Sequence, residues 1–180
     1  SLDKKIKHIA KYFSSNDYNS ILFGLQHVTY HEETLGFKKI FPERPADHVI
    51  KNIEDNIDTI LFKKPFYAEV NFFEPHRPFD FGGVKSYRSK GVFIPKYIPN
   101  NSSIKKEFEA MQGAIKKMDE SVEKIINILK KKGLYENTII IFTTDHGIPF
   151  PRAKGTLYDA GIETGLIISY PKLKIKNKKF

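Results

Sequence analysis

The chain has 180 residues, of which 40% are hydrophobic, 13% aromatic and 28% charged. This composition indicates a folded globular unit and excludes collagen-like, low-complexity and disordered chains. Cysteine is absent, which excludes disulfides, zinc-thiolate sites, iron–sulfur clusters and a thiol nucleophile but leaves the compartment open. No apolar run approaches the ~20 residues that a membrane-spanning helix needs, so we expect no membrane segment.

The charge balance favours anionic partners. Thirty lysine and arginine residues against 21 acidic ones give a formal net charge of +9, as expected for binding nucleic acid, anionic lipid, or a sulfated or phosphorylated substrate. Eight of these cations fall in runs typical of a helix end and a solvated tail: Lys130, Lys131 and Lys132, then Lys172, Lys174, Lys176, Lys178 and Lys179. No aromatic residues interleave with them, so we expect no nucleic-acid partner.

The first half of the chain alternates helical and strand patterns. Residues 6–13 place Ile6, Ile9, Ala10 and Phe13 on one helical face, and residues 20–24 form a short buried strand. A second helix is predicted from Pro45 to Leu61, and the aromatic and β-branched run at residues 66–73 predicts a second strand. Residues 77–101 contain too many glycines and prolines for regular structure, which makes them a candidate functional loop.

The second half begins with the longest predicted helix, which starts at Ser102 and ends at a Gly133 C-cap. Residues 138–144 form a continuous β-branched run, typical of a strand covered on both faces. A last strand covers residues 166–170. Strands alternating with helices predict an α/β fold with a mostly parallel sheet flanked by helices.

Three polar clusters follow predicted strands. They are residues 24–27, residues 74–78 and residues 145–147. In open α/β sheets, ligands bind beyond the carboxyl ends of the strands, so these clusters are the candidate site.

Several side chains in and near these clusters could carry chemistry. Asp145 and His146 offer an oxygen and a nitrogen ligand for a divalent metal, although two ligands do not close a coordination shell and a strand-ending Asp is more often a turn residue. His76, held between two prolines, could donate to an anionic oxygen or act as a general acid, and His27 has the same options. Each could equally be a hydrogen-bonded structural histidine. Lys154 could bind an oxyanion, although a lone loop lysine is usually solvated.

Taken together, four segments resemble the sulfatases of the alkaline-phosphatase-like superfamily. The family's metal strand and the lysine that follows it resemble residues 137–147, Lys154–Tyr158 and Gly161. Its Pro-His segment resembles residues 72–79, and its Gly-Lys-x-His segment resembles residues 23–27. The helix and turn that lead into the metal strand are similar at Met118-Asp119, Gly133 and Asn137-Thr138. The sequence of residues 74–78 and 148–151 leans toward the N-sulfoglucosamine sulfohydrolase branch.

The resemblance implies an alkaline-phosphatase-like fold and the hydrolysis of sulfate esters or sulfamates, with a sulfated small molecule or glycan as the partner. It implies that Asp145 and His146 bind calcium, that His76 and Lys154 contact the sulfate, and that His27 assists the nucleophile. In this family the nucleophile is a formylglycine made from a Cys or Ser in a Cys/Ser-x-Pro/Ala-x-Arg segment.

The sequence also departs from the family pattern. Leu25 stands where the family has a lysine, and neither the nucleophile segment nor the amino-terminal Asp pair of the calcium site is found. We therefore expect residues 1–180 to be the central part of a sulfatase catalytic domain, without its N-terminal nucleophile and metal segment and its C-terminal region. Alone, this part should be inactive.

Two alternatives stay open. A phosphodiesterase or phosphoglycerol transferase of the same superfamily would share the Asp-His-Gly strand. A non-catalytic module for sulfated polymers would use the positive charge without the metal ligands.

Overall fold

The computed structural model describes residues 5–60, 64–89 and 91–173, so Leu61 and the tail lysines Lys174, Lys176, Lys178 and Lys179 lie outside the described residues. Two compact units form: Ser1–Lys85 with Ala114–Ser121, and Ser86–Gly113 with Val122–Phe180. Within the described ranges, no helix has the length and apolar character needed to cross a membrane.

A three-stranded parallel sheet forms the centre of the first unit. Strand β1 (Asn19–Gly24) lies in the middle, with β2 (Lys39–Phe41) on one side and β3 (Phe66–Asn71) on the other. Residues 20–24 of β1 are all buried, as the apolar run predicts for a central parallel strand. Together with its helices, this sheet confirms the predicted α/β class.

Two helices contact β1. Helix α1 (Ile9–Ser15) begins later than predicted, and both Ile6 and Ile9 are exposed. Its first turn is capped by His8, whose Nδ1 accepts a hydrogen bond from the Ala10 amide at 3.3 Å. Helix α2 (Ala46–Ile60) matches its prediction more closely. Its apolar stripe is buried: Val49, Ile50, Ile53 and Ile57.

The predicted long helix is α3 (Ser102–Lys131). Its N-terminus is capped by Asn101, whose Oδ1 accepts from the Ile104 amide at 3.0 Å. At its C-terminus Gly133 adopts a φ of +69°, and the Gly133 and Leu134 amides donate to carbonyls of the last turn. This Schellman arrangement confirms Gly133 as the stop signal.

The second unit contains an antiparallel pair, β4 (Ile140–Thr143) and β5 (Leu166–Ser169). The prediction that residues 138–144 form a strand covered on both faces was wrong. Ile139 and Ile141 are about 60% exposed, and Leu166, Ile167 and Ile168 of β5 are equally open. The physical reason is that, among the residues that the structure describes, β4 has one neighbouring strand, and two strands alone enclose little apolar surface.

The segment at residues 77–101 is irregular, as predicted. Within its described residues, the one regular element is a short 3-10 turn at Phe81–Gly83. Part of the segment is tied to α3, because the Gln112 side-chain amide donates to the Tyr87 and Gly91 carbonyls at 3.1 and 2.9 Å. Arg88 adds an ion pair with Glu109 at 2.9 Å. Side chains of the helix therefore hold the loop, together with the backbone hydrogen bonds inside the loop and the one from the Tyr87 amide to the Glu109 carbonyl.

We expect Gly24→Ala to destabilise the first unit strongly. Gly24 has a φ of +95°, and a Cβ there would lie 1.9 Å from the Asn71 carbonyl oxygen of β3. The matched control is Gly83→Ala, where φ is +79° but nothing lies within 4 Å of the added atom. The control should lower the free energy of unfolding by roughly 1–2 kcal/mol, because of its backbone conformation alone. Gly24→Ala should lower it by about 3 kcal/mol or more. Equal losses in urea denaturation would contradict the close approach of β1 and β3.

Candidate functional site

The segment that carries His27 leaves the sheet at the carboxyl end of β1. The Asn71 side chain of β3 donates to the Leu25 carbonyl at 2.9 Å. Gln26 then holds the following turn: its Oε1 accepts from the Val28 and Thr29 amides, and its Nε2 donates to the Thr29 carbonyl at 2.7 Å. His27 is exposed on this turn. Its backbone is thus fixed by neighbours on both sides while the imidazole faces solvent.

The segment that carries His76 leaves the same sheet at the carboxyl end of β3. The His76 amide donates to the Phe73 carbonyl at 2.8 Å, which closes a turn. The imidazole is exposed, lies 5.0 Å from the Phe73 ring between centroids, and has Nδ1 in contact with the Arg77 carbonyl. Phe73 in turn packs against Phe81 at 4.1 Å. The imidazole therefore lies beside two aromatic rings that contact each other at tilted angles.

Parallel pairing brings these two histidine segments to one edge. Gly24 lies opposite Asn71 in the β1–β3 register, so residues 25–27 and 72–76 both begin at that end of the sheet. For these two of the three predicted polar clusters, the placement after the carboxyl end of a strand is confirmed.

In the second unit, Asp145 and His146 follow β4 after Thr144. The Asp145 Oδ2 and His146 Nε2 atoms lie 3.3 Å apart, with the two side chains 86% and 34% exposed. His146 Nδ1 lies 2.8 Å from the Gly147 carbonyl oxygen, so that nitrogen donates to it. The two side chains therefore form a solvent-facing pair at a strand end.

These two side chains offer donor types that a divalent cation accepts. Among the described residues, however, no group of three or more His, Cys, Asp or Glu side chains could hold a metal ion. Calcium takes six to eight ligands, mostly oxygens. Asp145 and His146 alone therefore do not complete a metal site.

Lys154 lies on a closed loop that joins β4 to the short helix α4 (Asp159–Ile162). The Gly147 amide donates to the Gly161 carbonyl at 3.1 Å, and the Lys154 amide donates to the Ile148 carbonyl at 3.1 Å. Ala153, which precedes Lys154, is fully buried, whereas Lys154 itself is exposed. The loop backbone is therefore fixed by hydrogen bonds and by the buried Ala153, while Lys154 lies at the surface.

Sequence reasoning missed several residues that shape these segments. Gln26 holds the His27 turn, but a single glutamine in a loop carries no signal of that role. Glu74 is 4% exposed and accepts from the Ala46 amide, which its place beside Pro75 did not indicate. The sequence motifs did include Gly147 and Gly161, but not their close backbone contact, which glycines at the two ends of a loop favour.

We expect Gly147→Ala to open the Lys154 loop. A Cβ at Gly147 would lie 1.7 Å from the Ala160 carbonyl oxygen, and relieving that overlap would break the hydrogen bond to Gly161. The control is Gly165→Ala, where nothing lies within 4 Å of the added atom and the change should stay within about 0.5 kcal/mol. Thermal unfolding should show a clearly lower midpoint for Gly147→Ala alone. Similar midpoints for both variants would argue against the closed loop.

Comparison with known proteins places this sequence in a family. The family model described as Sulfatase matches residues 43–179. An ulvan-active sulfatase from Formosa agariphila is 41% identical over 78 residues, which cover 43% of this chain and 13% of the relative. Human N-sulphoglucosamine sulphohydrolase is 28% identical over 132 residues, which cover 61% of this chain and 26% of the relative.

A solved structure from a study of glycosaminoglycan metabolism by Bacteroides thetaiotaomicron superposes with a TM-score of 0.73 at 18% identity. The match covers 95% of this chain and 49% of the solved one. The chain thus spans about half of that structure and about a quarter or less of these two curated relatives. The fold is that of the alkaline-phosphatase-like sulfatases, and by the family match over residues 43–179 the chain belongs to the sulfatase family.

Proposed function

We propose that this chain serves the hydrolysis of sulfate esters or sulfamates of a glycan, as the central part of a sulfatase catalytic domain. The observation that carries the proposal is the family match over residues 43–179, and the placement of the proposed site residues supports it. His27, His76 and Asp145-His146 each follow a strand end, and Lys154 lies on an ordered loop after the last of these strands.

The net reaction is a hydrolysis that breaks the bond between sulfur and the leaving oxygen or nitrogen and adds the oxygen of water to sulfur. The products are inorganic sulfate and the free alcohol or amine, which takes up a proton. The charge on the sulfate oxygens has to be stabilised throughout, and fixed cations or N–H donors do this best where they are already oriented.

His76 and Lys154 are the proposed sulfate contacts. The His76 imidazole is exposed and supported by the Phe73 ring at 5.0 Å, so it can donate to an anionic oxygen with little reorganisation. The Lys154 ammonium is carried by a loop whose preceding residue, Ala153, is fully buried. Both groups combine an exposed donor with an anchored backbone.

His27 is the proposed assistant to the nucleophile, either accepting or returning a proton. A formylglycine, which the family makes from a Cys or Ser, would supply an aldehyde hydrate as the nucleophile. The sequence contains no cysteine and no family-type Ser segment, so this activity is proposed for the whole protein. Leu25 supplies no cation where the family has a lysine, which leaves His76 and Lys154 as the proposed cationic or N–H donors.

Asp145 and His146 are proposed to supply part of a calcium site. Asp145 offers a carboxylate that is 86% exposed, and the His146 ring lies 3.3 Å from it. Calcium would neutralise charge at the sulfate or nucleophile. The remaining ligands would have to come from outside this pair.

A sulfated glycan is the proposed substrate class. Two relatives carry names that refer to ulvan and to N-sulphoglucosamine, and a formal net charge of +9 favours a polyanionic ligand. The names belong to those relatives, and the net charge alone would favour any polyanion. Together, the names and the charge support a sulfated glycan as the substrate class.

We expect His76→Ala and Asp145→Ala in the full-length protein to remove most of the turnover of 4-nitrophenyl sulfate, with kcat/KM falling by about 100-fold or more. The matched controls are His31→Ala, at a side chain 73% exposed in another loop, and Asp55→Ala, on the exposed face of α2. Both controls should keep nearly full activity. Unchanged turnover in the first two variants would refute the assigned roles.

The phosphoryl alternative predicts a different substrate preference. We expect the full-length protein to hydrolyse 4-nitrophenyl sulfate with a higher kcat/KM than bis(4-nitrophenyl) phosphate, and the reverse order would favour a phosphodiesterase.

A binding module without catalysis predicts no turnover of either ester. It also predicts salt-sensitive retention on heparin that Asp145→Ala leaves unchanged, because screening would weaken charge contacts that do not involve a metal.

A further inference from the structure

We propose that Glu74 is a positioning residue for His76. Glu74 lies two residues before His76 and is 4% exposed, which makes it one of two buried carboxyl side chains among the described residues; the other is Glu109. The proposal rests on the proposed sulfate contact of His76. It goes further by naming the group that fixes where that imidazole stands.

The first step of the argument is the contact between Glu74 and helix α2. Both carboxyl oxygens of Glu74 lie 3.2 Å from the amide nitrogen of Ala46, which is the first residue of this 15-residue helix. Amides in the first turn have no partner inside the helix, and the helix dipole favours a negative group there. The Glu74 side chain therefore binds the loop after β3 to the start of α2.

A second, backbone link joins the same two segments. The Phe73 amide donates to the Arg44 carbonyl at 3.3 Å, just before the Glu74–Ala46 contact in both segments. Since α2 packs on β1 through its buried stripe, the loop after β3 is attached to an element that is itself fixed in the core. Two adjacent links of this kind restrict both the position and the direction of the loop.

The third step connects this attachment to the His76 ring. The His76 amide donates to the Phe73 carbonyl at 2.8 Å, and the two rings lie 5.0 Å apart. Glu74 sits between these residues in the chain, so its side chain sets the start of the turn that His76 completes. On the other side, a Cβ added at Gly82 would lie 3.7 Å from Glu74 Oε1, which places the 3-10 turn close over the carboxyl group. The side chain is enclosed and has little room to move.

Loss of this contact should displace the imidazole rather than unfold the protein. A displacement of about 1 Å can cost 10²-fold in rate when it misaligns a reacting or binding group. We therefore expect Glu74→Ala to lower kcat/KM for 4-nitrophenyl sulfate by about 10-fold to 100-fold. Glu74→Gln keeps an oxygen that accepts from the Ala46 amide, so it should stay close to the parent protein.

The experiment is a double-mutant cycle in the full-length protein with 4-nitrophenyl sulfate, using Glu74→Ala, His76→Ala and the double variant. If Glu74 acts through His76, the double variant should be no slower than His76→Ala alone. Losses that multiply would overturn the proposal, because Glu74 would then act independently of His76. Circular dichroism and the thermal midpoint establish that each variant is folded at the assay temperature.

Two further variants keep the test decisive. Glu109→Gln removes the charge of the other buried carboxyl group, which pairs with Arg88, and should lower stability while leaving kcat/KM near that of the parent protein. Should Glu74→Ala fail to fold, Glu74→Asp replaces it in the cycle, because it retains the charge but shortens the reach to Ala46 by one methylene. A Glu74→Ala or Glu74→Asp variant that is folded and fully active would overturn the positioning role.

The outcome for His76→Ala distinguishes failure of the positioning role from failure of the proposed sulfatase function. If His76→Ala leaves turnover unchanged, the proposed sulfate contact fails, and the positioning role fails with it. If His76→Ala removes turnover but neither Glu74→Ala nor Glu74→Asp changes it, the positioning role alone fails.

Discussion

The parallel ladder between β1 and β3 is the constraint on which both histidine segments depend. It places Gly24 opposite Asn71, at a separation so small that a side chain on Gly24 would overlap the Asn71 carbonyl. Because the strands run in the same direction, the segments that follow them start from one edge. The ladder thus sets where the two segments begin. Their direction is set by further contacts: the Asn71 hydrogen bond to Leu25, the turn held by Gln26 and the aromatic neighbours of His76.

In the second unit, the loop that carries Lys154 is ordered by backbone contacts rather than by a parallel ladder. This loop follows Asp145 and His146, lies within one unit and is closed by backbone contacts, with Gly147 and Gly161 at the points of closest approach. A loop fixed by its own carbonyl and amide groups needs few large side chains inside it. That leaves Lys154 exposed on a rigid backbone, which suits a cation that has to meet an anion without reorganising.

The features that the sequence predicted are those set by local periodicity. The stripe of α2 and the Gly133 stop of α3 depend on neighbours three or four residues away, and both were found as expected. The exposure of β4 could not be predicted, because a β-branched run indicates a strand but not how many strands lie beside it. Likewise, Glu74 is buried only because the loop after β3 meets the first amide of α2, a contact across 28 residues of chain. The motifs proposed Asp145, His146, His76 and Lys154 as site residues, and they gave no indication of neighbouring groups such as Glu74.

The strand order in the first unit also bears on how the chain folds. β1 pairs with β2 across 18 residues, from Ile21 to Lys39, and with β3 across 47 residues, from Asn19 to Phe66. Closing the longer loop costs about 0.9 kcal/mol more in chain entropy if both loops behave as flexible chains. The β1–β2 pair should therefore form first, with β3 and the His76 segment joining late. Contacts this distant in sequence are typical of slow-folding topologies, so we expect the edge that carries the two histidines to be completed only after the β1–β2 pair has formed.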